Sequence, residues 1–388
     1  MSFRFLIQAI RDGFHNLTSR RVYLTLLIAV PLLFTLFFIN LMDEGVAVKV
    51  PSSVVDLDNS SLSRDVIRNL GSSELVDIVA KDESYHKAME KVRSGKTYGF
   101  FMIPENFQRD AISGRTPTIT YYCNLTYFVP GTMMFKGFKT TAVTTAGGLV
   151  QTNLVSRGLT ENFAMATIQP VVVQQQSPGN PWMNYNYYLT DSFVPGIICL
   201  VVALVTAYSI CDEIKRRNSR RWLERSGNSV VIALAGKLIP QGIVGVAVGL
   251  ACQGIMYGFN HFPMNCSVWH MIWAMVLMVF ASQAFAVTVC CLITNLRLAV
   301  SICSLTGILA FSLAAFSSPV DAMYPPIGIF SYILPVRYYF LIYIDQALNG
   351  IPLYYSRYYY IALIIFLLVP LGLLWKLKKR LEAEVYIP

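Results

Sequence analysis

Apolar runs and one long polar interval divide this chain. Residues 22–42, from Val22 to Met42, are almost wholly apolar and uncharged, and about 20 such residues suffice to cross a bilayer as a helix. Residues 43–191 are soluble in character. From residue 192 onward, apolar runs at about 193–211, 235–257, 269–293, 299–316 and 358–375 predict five more crossings. Between the last two, Ser318-Pro319-Val320-Asp321 and Tyr324-Pro325-Pro326 interrupt the pattern, and residues 327–344 are apolar yet carry Pro335 and Arg337, with Asp345 just beyond. Short helices dipping into the outer leaflet over 318–346 are expected, because irregular backbone at that depth must be buried in protein or face water.

Ahead of the first run, Phe3, Leu6, Ile7 and Ile10 share one helical face, with Arg4 and Arg11 toward headgroups. Within residues 1–21 this predicts an amphipathic helix in the inner interface, or else the frayed start of the first span. The polar interval alternates strand and helix signals. Ser53–Leu57 reads as a strand, Asp58-Asn59-Ser60 as a turn, and Ser61–Leu70 as a helix with Leu62, Val66 and Leu70 inward. A strand at Leu75–Val79, a helix capped by Ser84, and strands at Tyr98–Ile103 and Thr118–Tyr122 complete a small α/β domain. A Gly- and Thr-rich helical arm follows over 131–166, leading away from it. Gln174-Gln175-Gln176-Ser177-Pro178-Gly179-Asn180-Pro181 reads as a linker. The fold class is therefore an α-helical polytopic membrane protein with six transmembrane helices and an inserted α/β extracytoplasmic domain.

Composition sharpens this picture. The chain is 55% hydrophobic and only 14% charged, as an integral membrane protein with a soluble insert should be. No small-residue cleavage pattern follows Phe38-Ile39-Asn40-Leu41-Met42, so the first run reads as a retained anchor. A net charge of +9 invites a nucleic-acid reading, but the basic residues sit at Arg4, Arg11, Arg20 and Arg21, at 215–225, at Arg297 and at 376–380. Together these obey the positive-inside rule with both termini cytoplasmic, leaving no reason to invoke nucleic acid. A seventh crossing would break that rule by placing 376–380 outside. Of eight cysteines, six fall in predicted spans; Cys123 and Cys266 should face outside, paired or not. No Cys/His spacing suggests a metal.

Little in the chain promises catalysis. Gly95-Lys96-Thr97 resembles the end of a phosphate-binding loop, but Glu90 stands where that loop needs glycine and the order is helix, turn, strand. It is a turn, and no ATPase of the chain's own is expected. The spans offer neutral polar groups, Gln253, Ser282, Gln283, Thr288, Ser301 and Thr306. These either bond helix to helix or line a path for an amphiphile, and the lack of intramembrane charge counts against proton coupling. The loop 212–228 is the most loaded stretch. Its basic residues suit a positive-inside anchor, whereas Trp222 and Leu223 among them suit a short helix docking into a partner's groove.

At this point the chain resembles a family. Val54-Val55-Asp56-Leu57-Asp58-Asn59-Ser60-Ser61, Ser94–Phe107 with its Ile103-Pro104-Glu105-Asn106-Phe107, Phe193-Val194-Pro195-Gly196, Ala235-Gly236-Lys237-Leu238-Ile239-Pro240, Met323-Tyr324-Pro325-Pro326 and Leu334-Pro335-Val336-Arg337-Tyr338-Tyr339 follow one another as in ABC transporter permeases of the type-2 exporter class. Members usually carry Gly-Thr where this chain has Asn218-Ser219, so the resemblance places the coupling helix by position, at about 219–225.

The resemblance implies a permease without cofactor, whose partner, a separate cytoplasmic ABC ATPase, binds ATP and Mg. Coupling would fall to Glu213, Arg220, Arg221, Trp222, Leu223 and Glu224, and a second permease, identical or paralogous, would complete the transporter among the lipids of a bacterial inner membrane. The large insert resembles those of drug- and lipid-type exporters that meet a periplasmic adaptor and outer-membrane channel. Export of an amphipathic or hydrophobic compound is the expected function; a non-transporting envelope platform is the alternative. Single cysteines at Ser94 and Asn180 should react with an impermeant thiol reagent from outside, and those at Ser226 and Glu382 only after the membrane is opened; the reverse pattern would invert the topology.

Overall fold

The computed structural model describes residues 2–43, 45, 48–169, 179–180, 184–314, 316 and 319–383. Contacts divide the chain into two compact units, residues 46–176 and the remainder.

The remainder is helical. It opens with α1, Ser2–Ser19, and α2, Arg21–Leu41. The inserted unit then carries β1, Val50–Asp56; α3, Ser61–Gly71; β2, Val76–Asp82; α4, Tyr85–Arg93; β3, Gly99–Ile103; α5, Phe107–Ile112; β4, Thr120–Cys123; α6, Phe128–Ser156; and α7, Glu161–Ile168. After it come α8, Tyr185–Lys215; the short α9, Ser219–Arg225; α10, Val230–Phe259; α11, Val268–Leu292; and α12, Leu296–Leu313. Last are α13, Pro325–Ser331; α14, Pro335–Leu348; and α15, Leu353–Ala383.

Among the described residues six helices are long and apolar enough to cross a membrane: α2, α8, α10, α11, α12 and α15. The chain is thus a polytopic helical membrane protein with an α/β insert. Helices α13 and α14 meet at 82°, as a re-entrant pair or a broken span would. Its first expected residue, Ser318, lies outside the described residues, as does most of the linker 174–181.

Polar caps extend the helices beyond their apolar runs. Helix α8 begins eight residues before the run expected at Phe193, because the Asn184 side chain accepts the Asn186 N–H at 2.7 Å. Likewise Ser229 caps α10 and Asn295 caps α12. The extension of α8 carries Asp191, which hydropathy assigns to the polar insert, into the helical unit with no exposed surface.

In the insert the sheet runs β2-β1-β3-β4, with β1 parallel to both neighbours and β4 antiparallel to β3. Caps Ser60 and Ser84 accept the N–H groups of Ser63 and Lys87. Gly95-Lys96-Thr97 lies in the turn from α4 to β3, where Gly95 has φ +72°. The arm expected to lead away instead starts inside the domain: Met134 and Phe138 of α6 are fully buried, with Phe138 5.5 Å from Phe101. Helical spacing explains this, since Met134, Phe138 and Thr141, four and three residues apart, share one buried face. All eight cysteines are free, and burial pushes the Cys123 thiol up to about 11. Phe138→Ala in the isolated insert should cost roughly 3–5 kcal/mol, read as a lower midpoint in denaturant; an unchanged midpoint would show that α6 is not part of the domain core.

Candidate coupling site at the base of the helical unit

Two backbones touch here because neither carries a side chain. Pro240 has no N–H to give the carbonyl of Gly236, four residues earlier in α10. Against that freed carbonyl lies Gly13 of α1, where an added Cβ would sit 1.9 Å from the Gly236 oxygen. A Cβ on Gly236 would in turn fall 2.7 Å from Ala9. Helix α1 therefore has a bundle face of Phe5, Ala9, Gly13 and Leu17, and Leu17 is only 2% exposed. This corrects the single interfacial face expected of it: Leu6 and Ile10 are half-buried while Ile7 and Phe14 are exposed beside them. The Phe3 side chain lies outside the described residues.

Immediately after Gly236, Lys237 turns into the seam and is 7% exposed. Its ammonium donates to Glu213 Oε1 at 2.7 Å and to the Ser209 carbonyl at 2.6 Å, beneath the Trp222 ring at 4.4 Å. Asn218 donates to the other Glu213 oxygen at 2.8 Å. Beside this pair, Asp212 accepts from Arg20 at 2.6 Å and from Arg216 at 2.9 Å. Three cations and two carboxylates so tie α1, α8, α9 and α10 together. A polar cavity of about 350 Å³ lies between them, lined among others by Asp12, Asn16, Arg225 and Ser226.

Of the six residues expected to couple, Glu213 lies in this network and Trp222 covers it. Leu223 is 2% exposed, packed in the cluster that holds Leu377 and Leu381 of α15. Ser219 Oγ donates to the Leu381 carbonyl at 2.8 Å. The idea of Trp222 and Leu223 as an exposed apolar knob is thus corrected: spacing along α9 turns them toward the bundle, and Arg220, Arg221 and Glu224 face outward. The tail expected from residue 377 is also a helix to Ala383, seated on α9, with 384–388 outside the described residues.

The six neutral polar residues are not brought together. Gln253 donates to the Met271 carbonyl and the Tyr339 hydroxyl, at 3.1 and 2.9 Å. Ser282 donates to Cys199 Sγ and Met278, Gln283 to Leu238, Thr288 to Ala284, and Thr306 to Ile302, whereas Ser301 is exposed. Gln283 also lines an apolar groove of about 270 Å³ with Leu238, Phe280 and Leu371.

Two ionisable side chains are buried in the helical unit, Asp191, which hydropathy leaves in the polar insert, and Arg337, which falls in the expected re-entrant segment. The Tyr257 hydroxyl donates to buried Asp191 at 2.7 Å, and Arg337 of α14 is 9% exposed with its face on Tyr332 at 5.0 Å. Hydropathy missed Asp191 because a single carboxylate ends an apolar window. The tyrosines at 185, 187 and 188 were the available signal, since they need a packed apolar body with a polar tip.

Six helices long and apolar enough to cross a membrane, the first three of them converging on an ion-paired base, define a polytopic membrane component. Residues 21–376 match the ABC-2 family transporter protein family. The chain belongs to it and is a permease component of an ABC transporter, a role that implies an ATPase partner. No curated protein matches the chain.

Removing one partner of a buried pair strands the other charge. Lys237→Met or Glu213→Leu alone should cost roughly 3–5 kcal/mol, and the double variant should regain most of it. Thermal unfolding in detergent measures this; a double-variant loss equal to the sum of the two single losses would show that the pair is not coupled.

Proposed function

We propose that this permease exports an amphipathic or hydrophobic compound across a bacterial inner membrane, driven by its ATPase partner. One arrangement carries the reading. Helix α9 offers an outward basic face of Arg220 and Arg221, while Leu223 and Ser219 fix its other side to the bundle. Through Asn218–Glu213–Lys237 and Asp212–Arg20 its displacement is passed to α8, α10 and the α1–α2 junction. A partner pressing on such a helix moves three spans as one body, which is what a shift between inward- and outward-facing conformers requires.

In this reading both termini and α9 lie in the cytoplasm, next to an ATPase that binds ATP and Mg. The insert lies outside, available to a periplasmic adaptor and its outer-membrane channel. A second permease, identical or paralogous, completes the transporter. Coupling falls to the outward charges of Arg220, Arg221 and Glu224, with Glu213, Trp222 and Leu223 positioning the helix that bears them.

Permease purified with its ATPase and placed in liposomes tests this. An amphiphile that stimulates ATP hydrolysis and accumulates in vesicles with outward-facing ATPase is the expected result. Arg220→Glu with Arg221→Glu should lower the stimulated rate roughly tenfold by weakening the charged contact, leaving insertion intact. Hydrolysis without movement of any amphiphile would favour a non-transporting envelope platform.

A further inference from the structure

Next to the ion-paired base, between α2, α8 and α12, lies a cavity of about 460 Å³. That volume is within the range of small-molecule sites. Its walls are apolar, made by Leu26, Leu204, Val205 and Val300, and one end is basic, made by Arg20 and Arg216. Such a chamber suits a molecule with an apolar body and one charged end.

The sign of that end follows from counting charges. Both guanidiniums turn to the same carboxylate, Asp212, whose side chain is 5% exposed. Arg20 uses Nη1 for Asp212 and for the Tyr23 hydroxyl, at 2.6 and 3.0 Å. Arg216 uses Nε, so the Nη edge of its fork, on a side chain 60% exposed, remains for a ligand. Two cations against one anion leave one positive charge in surplus at the head of an apolar chamber. Neither a neutral hydrophobe nor a cationic amphiphile satisfies it. A monoanion does, and a phosphodiester or carboxylate matches the planar fork of arginine in shape as well as charge.

We propose that this cavity binds a lipid-like amphiphile with one anionic head, its chain between α2, α8 and α12 and its head on Arg20 and Arg216. The inference deepens the export reading and rests on it for the fate of the ligand; binding is a property of the permease alone. The same chemistry belongs to a transported amphiphile and to a resident anionic phospholipid.

The full-length permease, without ATPase, in phosphatidylcholine nanodiscs is exposed to photoactivatable phosphatidylglycerol or to photoactivatable phosphatidylcholine with the same chains. Phosphatidylglycerol should label the peptides that carry Leu26 and Val205 about fivefold more strongly, the effect of one basic side chain on an anionic head. Arg216→Gln, which leaves Asp212 paired with Arg20, should bring labelling down to the phosphatidylcholine level. Leu26→Trp should reduce it by filling the chamber with both arginines in place. Equal labelling by the two lipids would overturn the proposal, and so would full competition by glycerol 3-phosphate, a head without a chain. Adding the ATPase and ATP then separates the two sources, because a transported amphiphile leaves the site on hydrolysis and a resident lipid stays. Binding without transport would sink the export reading and keep the site; transport with no preference at the site would do the opposite.

Discussion

The close crossing of α1 over α10 at Gly13 and Gly236 is the constraint on which the base of the bundle depends. Pro240 frees the carbonyl that α1 covers, and the two missing side chains let the backbones meet. That crossing fixes the height of Lys237, one residue on, and so decides which carboxylate it can reach. With Lys237 on Glu213, Trp222 lies over the ammonium and α9 is held in one register. A larger residue at either glycine would lift α1 and separate this set of contacts together.

The same region explains how a strongly basic segment is tolerated beside a membrane. Isolated charges there are expensive, and pairing with further hydrogen bonds offsets much of that cost. Glu213 is satisfied from both sides by Lys237 and Asn218, and Asp212 by two arginines. The remaining positive charge is divided between the outward face of α9 and the head of the cavity beside Arg20. One network therefore separates two basic surfaces, the outward face of α9 and the head of the cavity.

Much of the architecture was legible in the sequence, for a plain physical reason. A bilayer demands a run of apolar residues of fixed length, and the chain from Val22 to Met42 or from Trp269 to Ile293 can hardly be read otherwise. The insert was equally open, since Ser60 and Ser84 announce helices and alternating apolar residues announce strands. What could not be read was direction within a short element. In α9 seven residues make fewer than two turns, so Trp222 and Leu223 could face either way until Leu377 and Leu381 were in place beside them. Asp191 was hidden for a related reason: its burial depends on Tyr257, which lies more than sixty residues away. Pairing of Glu213 with Lys237 likewise depends on the α1 crossing, and the residues that make it, a glycine and a proline four apart, look like ordinary helix flaws.

That crossing also sets an order on biogenesis. Gly13 is synthesised ahead of its seat on Gly236, which is 223 residues further along the chain. At about 5–20 residues per second, α1 has no partner for roughly ten to forty seconds of synthesis. During that interval its exposed stripe of Ile7 and Phe14, with Ile10 beside it, is suited to rest on the bilayer surface. Helix α1 is then seated at the base of the bundle only after the third described span is in place.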